Sequence, residues 1–585
     1  MIHRTLIGIG LAFVALCASA APKGATKAVM ISIDGLQHRY IKAAIDAGVA
    51  SAPRGFAWMA NGAAFSAEAY PVVTTLTAPS HVSTLTCSFP AQHGVIANTF
   101  MAGGQKLSGF NSEVKTETLV EAARRQGKTV ISIAYVSVDG QNPRRTADFG
   151  VSYPDTKYVP QNDTQIWQWE TLAPATGWVL RGGTTTALRE AKLAIVLNPV
   201  THERRELNAL VEKTAAGYEL TLDADKDLTN GVTITLTATA VVPPSTPVFF
   251  TEEAPESPLR GYRRRVDLRA AVDGTALKVF VAGSSYNYAQ PESFRKWLDG
   301  QDLVWPTKFA VLEQKDPVGF VEEAAIVDRF LATVAQKAVA QYPNDLVLFY
   351  QPLIDTVEHA FEAKLPQPFN PKATDPISQA YAHAIAIVDA NVSALLTAAG
   401  DDRTVMLMGD HGMEPMQKTL NLSAIMTVDR DKVDVVTSGS LALVYAKGTD
   451  PMATAAADHY GDLLAQALDK LSPLGKPSLS GQARKSVTSG DWNYGEAVWA
   501  FMAGEGLWFA WSLETDPVLP TKAFGMHGQS TFVKTMATGL FLKGPGVSAQ
   551  NLGQISLIDA VPTLVDLLGI QAPRDCRGHS LLKSR

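Results

Sequence analysis

The chain has 585 residues, 46% of them hydrophobic and 18% charged, which is enough apolar material for a large buried core and excludes a disordered chain. Its 51 basic residues against 57 acidic ones leave a formal charge of −6, so no basic excess marks a nucleic-acid binder and no acidic tail marks a basic partner. At ~150 residues per domain the length fits several domains, or one large domain with insertions.

Residues 1–20 read as an export signal. His3 and Arg4 precede an apolar run from Leu6 to Leu16, and Ala18-Ser19-Ala20 is a small-residue cleavage site. The run is too short to span a bilayer and nothing similar follows. The expectation is a periplasmic or secreted protein with no membrane span. Leu16, directly before Cys17, speaks against lipid attachment. Cleavage leaves Cys87 and Cys576. They could pair in an oxidising compartment, and two separate buried thiols is the plainer alternative.

Short β-branched runs at Val29–Ile33, Val130–Ile133, Leu346–Phe349 and Val405–Met408 read as strands buried on both faces, as in a parallel sheet. Helical patterns lie between them at Glu117–Gln126, stopped by Gly127, at Phe320–Ala340 and at Ile377–Ala398. This alternation predicts an α/β core. Between 153 and 301 the texture changes to short strands (Ala194–Leu197, Tyr218–Leu222, Val232–Thr239, Leu277–Val281) with Asn-Gly and Pro-Pro turns, a β-rich insertion. Within it Arg263-Arg264-Arg265 reads as a solvated strand edge. A second divergent stretch, 428–519, holds a strand at Ser440–Tyr445 and a helix at Asp462–Leu471 and reads as a small cap. Core texture returns with Leu540–Leu542 and the helix Ile558–Leu568. The organisation expected is a signal peptide (1–20), core parts at 27–152, 302–427 and 520–585, the insertion at 153–301 and the cap at 428–519.

Four places put Asp or His just past a predicted strand or in a Gly-flanked loop: Asp34-Gly35, Asp355 with His359 four residues on, Asp410-His411-Gly412, and His527-Gly528. Ligands of open α/β sheets bind outside the carboxyl ends of the strands. Carboxylates and imidazoles gathered there are costly to desolvate unless a dication joins them. If Asp355 opens a helix, the i,i+4 spacing turns it and His359 the same way. Mixed Asp/His ligation without thiolate suits zinc, ahead of manganese or iron. Thr77 stands two residues before Pro79, which can begin a helix, so its hydroxyl is placed near a helix amino end beside the metal, where it can act as a nucleophile. Asn98 offers an amide donor for developing oxyanion charge. Taken singly, most of these pieces read more readily as a turn, a cap or a solvated face, Asp410-His411-Gly412 being the more specific, and the combination in order is stronger than any part. His38 and His81 lie near these residues as donors or as structural histidines.

In this order, Asp34-Gly35, Thr77-x-Pro-Ser-His, His93-Gly-Val-Ile-x-Asn98, Tyr350-x4-Asp355-x3-His359, Asp410-His411-Gly412 and His527-Gly528 resemble the alkaline phosphatase superfamily, and within it the type I phosphodiesterase/nucleotide pyrophosphatase branch. The resemblance covers 27–150, 303–427 and 525 onward. It implies an alkaline-phosphatase-like three-layer α/β/α core with a mostly parallel central sheet. It also implies two zinc ions, one on Asp355, His359 and His527, the other on Asp34, Asp410 and His411 with the Thr77 oxygen. Thr77 would form a phospho-threonine intermediate, Asn98 would hold a phosphoryl oxygen, and the substrate would be a small phosphoester rather than a nucleic-acid polymer.

Three departures qualify the resemblance. Nucleotide-cleaving relatives often carry an aromatic residue after the nucleophile, as part of a nucleoside pocket, where this chain has Ala78. They also often carry Pro-Asp-x-x-Gly-His, where this chain has Ile354 and Glu358 in the Pro and Gly places. Thr77 and His81 replace the two key residues of the sulfatase motif, which argues against a sulfatase.

A monoesterase on the same site would gain from added positive groups. Arg144, Arg145 and Lys157 lie in the relevant stretch without forming a Lys-x-Arg pair, and the two arginines read as a solvated turn. The expectation leans to diesters, with a phosphomonoesterase as the alternative. Trp167, Trp169 and Tyr158 are candidates for a leaving-group pocket or for packing. A catalytically silent binding protein on this fold would lack a ligand, and none is missing. The oligomeric state is not legible.

Overall fold

The apolar runs form the centre of one large mixed sheet. In this computed structural model, residues 26–582 are described apart from 139–141, 143, 154–166, 180–187, 199–202, 216, 229–230, 238–245, 254, 256, 258, 308–315, 426–430 and 486–493. The export signal and the residues Lys157 and Tyr158 therefore lie outside the described residues. So do the side chains of Trp167 and Trp169.

Among the described residues the central sheet runs Ala289–Gln290, Phe149–Val151, Val130–Ile133, Leu346–Gln351, Lys27–Ile33, Arg403–Gly409, Thr538–Lys543, Ala64–Tyr70, and then Gln550–Asn551 and Gln554–Ser556. The stretch from Phe149–Val151 to Arg403–Gly409 is parallel throughout. Parallel strands covered on both faces must be apolar on both sides, and the burial of Lys27–Ile33, Leu346–Gln351 and Arg403–Gly409 follows that rule. The run Leu540–Leu542 joins the same sheet as Thr538–Lys543, antiparallel to both neighbours.

Two groups of helices cover the faces. His38–Asp46, Pro317–Gln341, Leu353–Phe361 and Pro376–Ala399 touch one another on one side, and Thr77–Thr86, Leu119–Arg124 and Ala560–Leu568 do so on the other. The long helices start where proline and a capping carboxylate coincide. Asp316 accepts from the Gly319 N–H and Asp375 from the Ser378 N–H, with Pro317 and Pro376 directly after them. Pro376–Ala399 is long and apolar enough to cross a membrane by length and composition, but most of its apolar stretch is buried in the core.

Residues 167–286 form two antiparallel sheets that face each other across Leu193, Leu207, Leu220, Leu268 and Val279. Arg263–Asp273 pairs on both sides, with Thr246–Thr251 and Ala276–Tyr286, so the triple arginine is not at an edge. Arg264 is buried against Glu252, and Arg265 grips Asp267. The solvated reading of this run is thus corrected: each guanidinium has a carboxylate close by, and Arg263 meets Asp302. Residues 433–503 form a four-stranded sheet with the helix Pro451–Asp469 on it. Its strands Leu441–Ala446 and Trp499–Ala503 pack Leu441, Leu443, Ala500 and Met502 against Leu76, Ala78 and Val82, so this sheet buttresses the helix that begins at Thr77.

Cys87 and Cys576 form a disulfide, with Cα atoms 4.7 Å apart, in place of the two separate thiols the sequence reading favoured. The bond ties the carboxyl end of Thr77–Thr86 to the C-terminal segment, and the Arg577 N–H donates to the Cys87 carbonyl alongside it. Closing a loop of 489 residues removes much chain entropy from the unfolded state. Cys576→Ser is therefore expected to lower stability by about 2–4 kcal/mol. Denaturant midpoints of wild type and variant, each with and without reductant, check this. A wild-type midpoint indifferent to reductant would contradict it.

Candidate active site

Strand register brings the first ligands together. Ile33 pairs with Gly409 on one side and Gln351 on the other, so Asp34 and Asp410 leave adjacent parallel strands at one level. The Asp34 N–H donates to the Gln351 carbonyl, and the Asp34 carbonyl accepts from the Asp355 N–H at 3.1 Å. That contact seats the first turn of Leu353–Phe361, which carries Asp355, with His359 one turn further along. Gly35 adopts φ +72° and its N–H donates to Asp410 Oδ1; a Cβ here would lie 2.8 Å from Glu358 Oε2. At Gly412 a Cβ would collide with the Thr535 carbonyl at 1.8 Å, which explains the glycine after Asp410-His411.

Two trios result. Donor atoms of Asp34, Asp410 and His411 lie within 4.8 Å of one another, as do those of Asp355, His411 and His527. His411 belongs to both. His359 reaches Asp355 Oδ1 with Nε2 at 3.4 Å but stays about one-third exposed at the rim, its ring 5.2 Å from that of His527. The ring of His527 stacks on that of His411 at 3.6 Å.

The histidine tautomers decide what the cluster can hold. His411 Nδ1 donates to the Gly412 carbonyl, His527 Nδ1 to the Thr75 carbonyl and His359 Nδ1 to the Gly525 carbonyl. Each proton is thereby fixed on Nδ1, and each Nε2 presents a lone pair to the cluster. Burial lowers all three imidazoles, His527 to about 3, which keeps them neutral. Yet His411 Nε2 sits 3.2 Å from Asp34 Oδ1 and 3.3 Å from Asp410 Oδ2, with no proton of its own to share. Both of those carboxylate oxygens are buried without a hydrogen bond. Burial, and the neighbouring carboxylates after it, push both carboxyls well above their usual range. Lone pairs converging from nitrogen and two oxygens in a dry site fit a cation and little else.

Thr77 is the first residue of the helix Thr77–Thr86, with Leu76 as its cap and Pro79 two residues inside. Its Oγ1 lies 3.1 Å from His411 Nε2. His81, one turn on, is fully buried. It donates from Nδ1 to the Thr77 carbonyl at 2.8 Å, lies 3.3 Å from Asp410 Oδ2, and meets Ser32 Oγ with Nε2. It therefore holds the backbone of Thr77 and lies close beside the Asp410 carboxylate. His38 instead packs beside Phe65 and Phe541 and plays no part in the cluster contacts described. Asn98 Oδ1 accepts from the Ala78 N–H at 2.8 Å, which turns the amide so that its NH2 is left for another partner.

Sequence reasoning passed over two residues here. Tyr350, the penultimate residue of its strand, donates its hydroxyl to Asp34 Oδ2. A tyrosine near the end of an otherwise apolar run, with a polar tip that needs a partner, was the available signal. Glu358, in the place where relatives carry Gly, is fully buried and accepts from Gln37 Nε2 and the Tyr381 hydroxyl, and burial raises its carboxyl. Ile354 is buried in the main core. Ala78 is completely buried under the cap sheet, against Gly109. The two arginines engage elsewhere: Arg144 meets Glu121, and Arg145, which is buried rather than solvated as expected, donates to the Ser112 and Asn111 carbonyls.

A family model described as type I phosphodiesterase / nucleotide pyrophosphatase matches residues 28–530. No curated protein matches the sequence. Among solved structures, murine ectonucleotide pyrophosphatase/phosphodiesterase 5 is similar at 13% identity and a TM-score of 0.48, over 93% of this chain and 96% of that one. The human counterpart gives the same values. An inactive variant of the murine protein, in complex with AMP, gives 12% identity and a TM-score of 0.48 over the same shares.

Proposed function

The chain belongs to the type I phosphodiesterase/nucleotide pyrophosphatase family and is a hydrolase of that type, and on that premise we propose that it is an exported phosphoesterase that cleaves phosphodiester or pyrophosphate bonds through Thr77. The observation that carries the reading is the 3.1 Å contact of Thr77 Oγ1 with His411 Nε2, the one donor atom common to both ligand trios.

Two zinc ions, one held by Asp34, Asp410 and His411 and the other by Asp355 and His527 with His359 at its rim and His411 within reach of both, would supply positive charge at the entering and departing oxygens. The protein's own residues do the rest. His81 fixes the Thr77 backbone, and the helix amino end orients Oγ1 toward the phosphoryl group. Oγ1 gives up its proton to solvent and bonds to phosphorus as the bond to the leaving oxygen breaks, giving a phospho-threonine and a leaving group that takes a proton from solvent. The Asn98 NH2 donates to a nonbridging oxygen. Water then attacks phosphorus, the Oγ1–phosphorus bond breaks, and the threonine hydroxyl is restored.

One observation favours diesters, and another bears on the nucleoside pocket. Arg144 and Arg145 spend their guanidinium groups on Glu121 and on carbonyls of residues 111 and 112, so neither acts as a clamp for the extra charge of a monoester. Ala78, buried beneath the cap, offers no aromatic platform at the position next to the nucleophile. The substrate class is thus a small phosphoester that need not carry a base stacked there. The periplasm or the exterior is the proposed location, supported by the amino-terminal pattern and by the disulfide.

Turnover of bis-4-nitrophenyl phosphate and 4-nitrophenyl phosphate, before and after chelation and zinc return, tests the reading. The expected result is chelator-sensitive turnover, restored by zinc, with the higher kcat/KM on the diester. Turnover indifferent to chelator would overturn it, and a higher kcat/KM on the monoester would overturn the diester preference.

A further inference from the structure

One cavity borders the metal-ligand cluster at Asp355 and His359, and Thr77 is not among its lining residues. It has a volume of about 470 Å³, and Asp355 and His359 form part of its wall. The remaining wall includes Phe320, Phe524, Lys364 and Lys522. Both lysines are exposed, and neither has an ion-pair partner among the described residues. The phenyl rings are braced from behind, Phe320 by Phe361 edge-on at 5.3 Å and Phe524 by Trp508 edge-on at 5.0 Å. Two phenyl rings and two ammonium groups free of ion pairs therefore share one pocket, with Lys364 Nζ also 5.8 Å from the centroid of the Phe361 ring.

Its position assigns it a role. In-line displacement requires the departing oxygen to lie opposite the entering one. Thr77 meets the cluster at His411; His411 stacks on His527; His527 Nε2 lies 3.7 Å from Asp355 Oδ1, and Asp355 borders the cavity. A group that leaves phosphorus away from Thr77 thus leaves toward Phe320, Phe524, Lys364 and Lys522. Resting on the phosphoesterase reading above, we infer that this cavity is the leaving-group subsite, and that it selects leaving groups carrying a negative charge of their own on a flat apolar body. The ammonium groups answer the charge and the phenyl faces answer the body. The Asp355 carboxylate is the opposing charge in the wall, and a bound cation would offset it.

The test compares two diesters, phenyl 4-nitrophenyl phosphate and phenyl 3-carboxy-4-nitrophenyl phosphate, on the zinc-loaded full chain. The readout is the ratio of kcat/KM for the carboxylated over the plain substrate. In wild type the ratio is expected to exceed one by roughly threefold to tenfold, as two solvent-facing ion pairs would give. In Lys364→Ala/Lys522→Ala it falls toward one, and in Lys372→Ala, an exposed lysine outside the cavity wall, it stays at the wild-type value. A wild-type ratio near one, or a ratio unchanged in the double variant, overturns the inference while turnover of both diesters keeps the phosphoesterase reading. Absence of turnover on both overturns that reading and the inference with it.

Discussion

Thr77→Ala is expected to lower kcat on a phosphodiester by at least ~10³-fold while leaving the fold and the metal content in place. The hydroxyl is the one group removed. Leu76, not Thr77, is the cap residue, and the Thr77 side chain makes no capping bond. Alanine suits the first turn of a helix, so the stability change should stay within about 1 kcal/mol. The contact that disappears is Oγ1 with His411 Nε2. The carbonyl of residue 77 remains as the acceptor for His81. Thr77→Ser, which restores a hydroxyl at the same atom, should recover part of the lost rate. Acid-quenched wild type, digested and weighed by mass spectrometry, should carry a phosphoryl group on the peptide containing residue 77. Full activity in Thr77→Ala would end the nucleophile assignment.

His411→Ala should abolish turnover as fully as loss of the nucleophile and should deplete bound metal, whereas His359→Ala should do less of each. The reason is geometric. His411 Nε2 is within reach of Asp34, Asp410 and Thr77 and belongs to both trios, while His359 sits at the rim and contacts Asp355 alone among the carboxylates described. Removing His411 also unstacks His527 and leaves two buried carboxylates facing a void, which is costly without a counter-charge. Elemental analysis of both variants, beside kcat/KM on the same diester, decides this. Equal metal content in wild type and His411→Ala would refute the shared-ligand role.

Much of the fold was legible because parallel strands buried on both faces leave an unbroken apolar signature. Val130–Ile133 appears with its expected bounds, Leu346–Phe349 is the first part of a strand two residues longer, and Val405–Met408 lies inside the longer strand Arg403–Gly409. The long helices begin earlier than periodicity indicated because proline and a capping aspartate extend them past the apolar stripe. The helix Pro451–Asp469 was placed too late. Its early turns carry mostly alanines and polar residues, only Ala453 and Ala457 are buried there, and the stripe is thin. Ala64–Tyr70 was not expected as a strand, since it is half exposed and carries no β-branched residue. The buried ion pairs of Arg264 and Arg265 were illegible because each partner is chosen by how the strands fold back, not by local composition.

The sequence alone determined the chemistry on offer. Asp34, Asp410 and His411 follow strand ends and could be picked out locally, while the full order with Thr77, Asn98, Asp355, His359 and His527 stood out through the family resemblance. Tertiary structure decided how those groups are shared. It made His411 common to two trios, moved His359 to the rim, gave Tyr350 and His81 their holding roles, and buried Ala78 beneath the cap. It also joined Cys87 to Cys576 across 489 residues. Distances of a few ångströms between atoms hundreds of residues apart depend on strand register and on which sheet covers which helix. Those are properties of the whole packed chain and leave no trace in any short window of it.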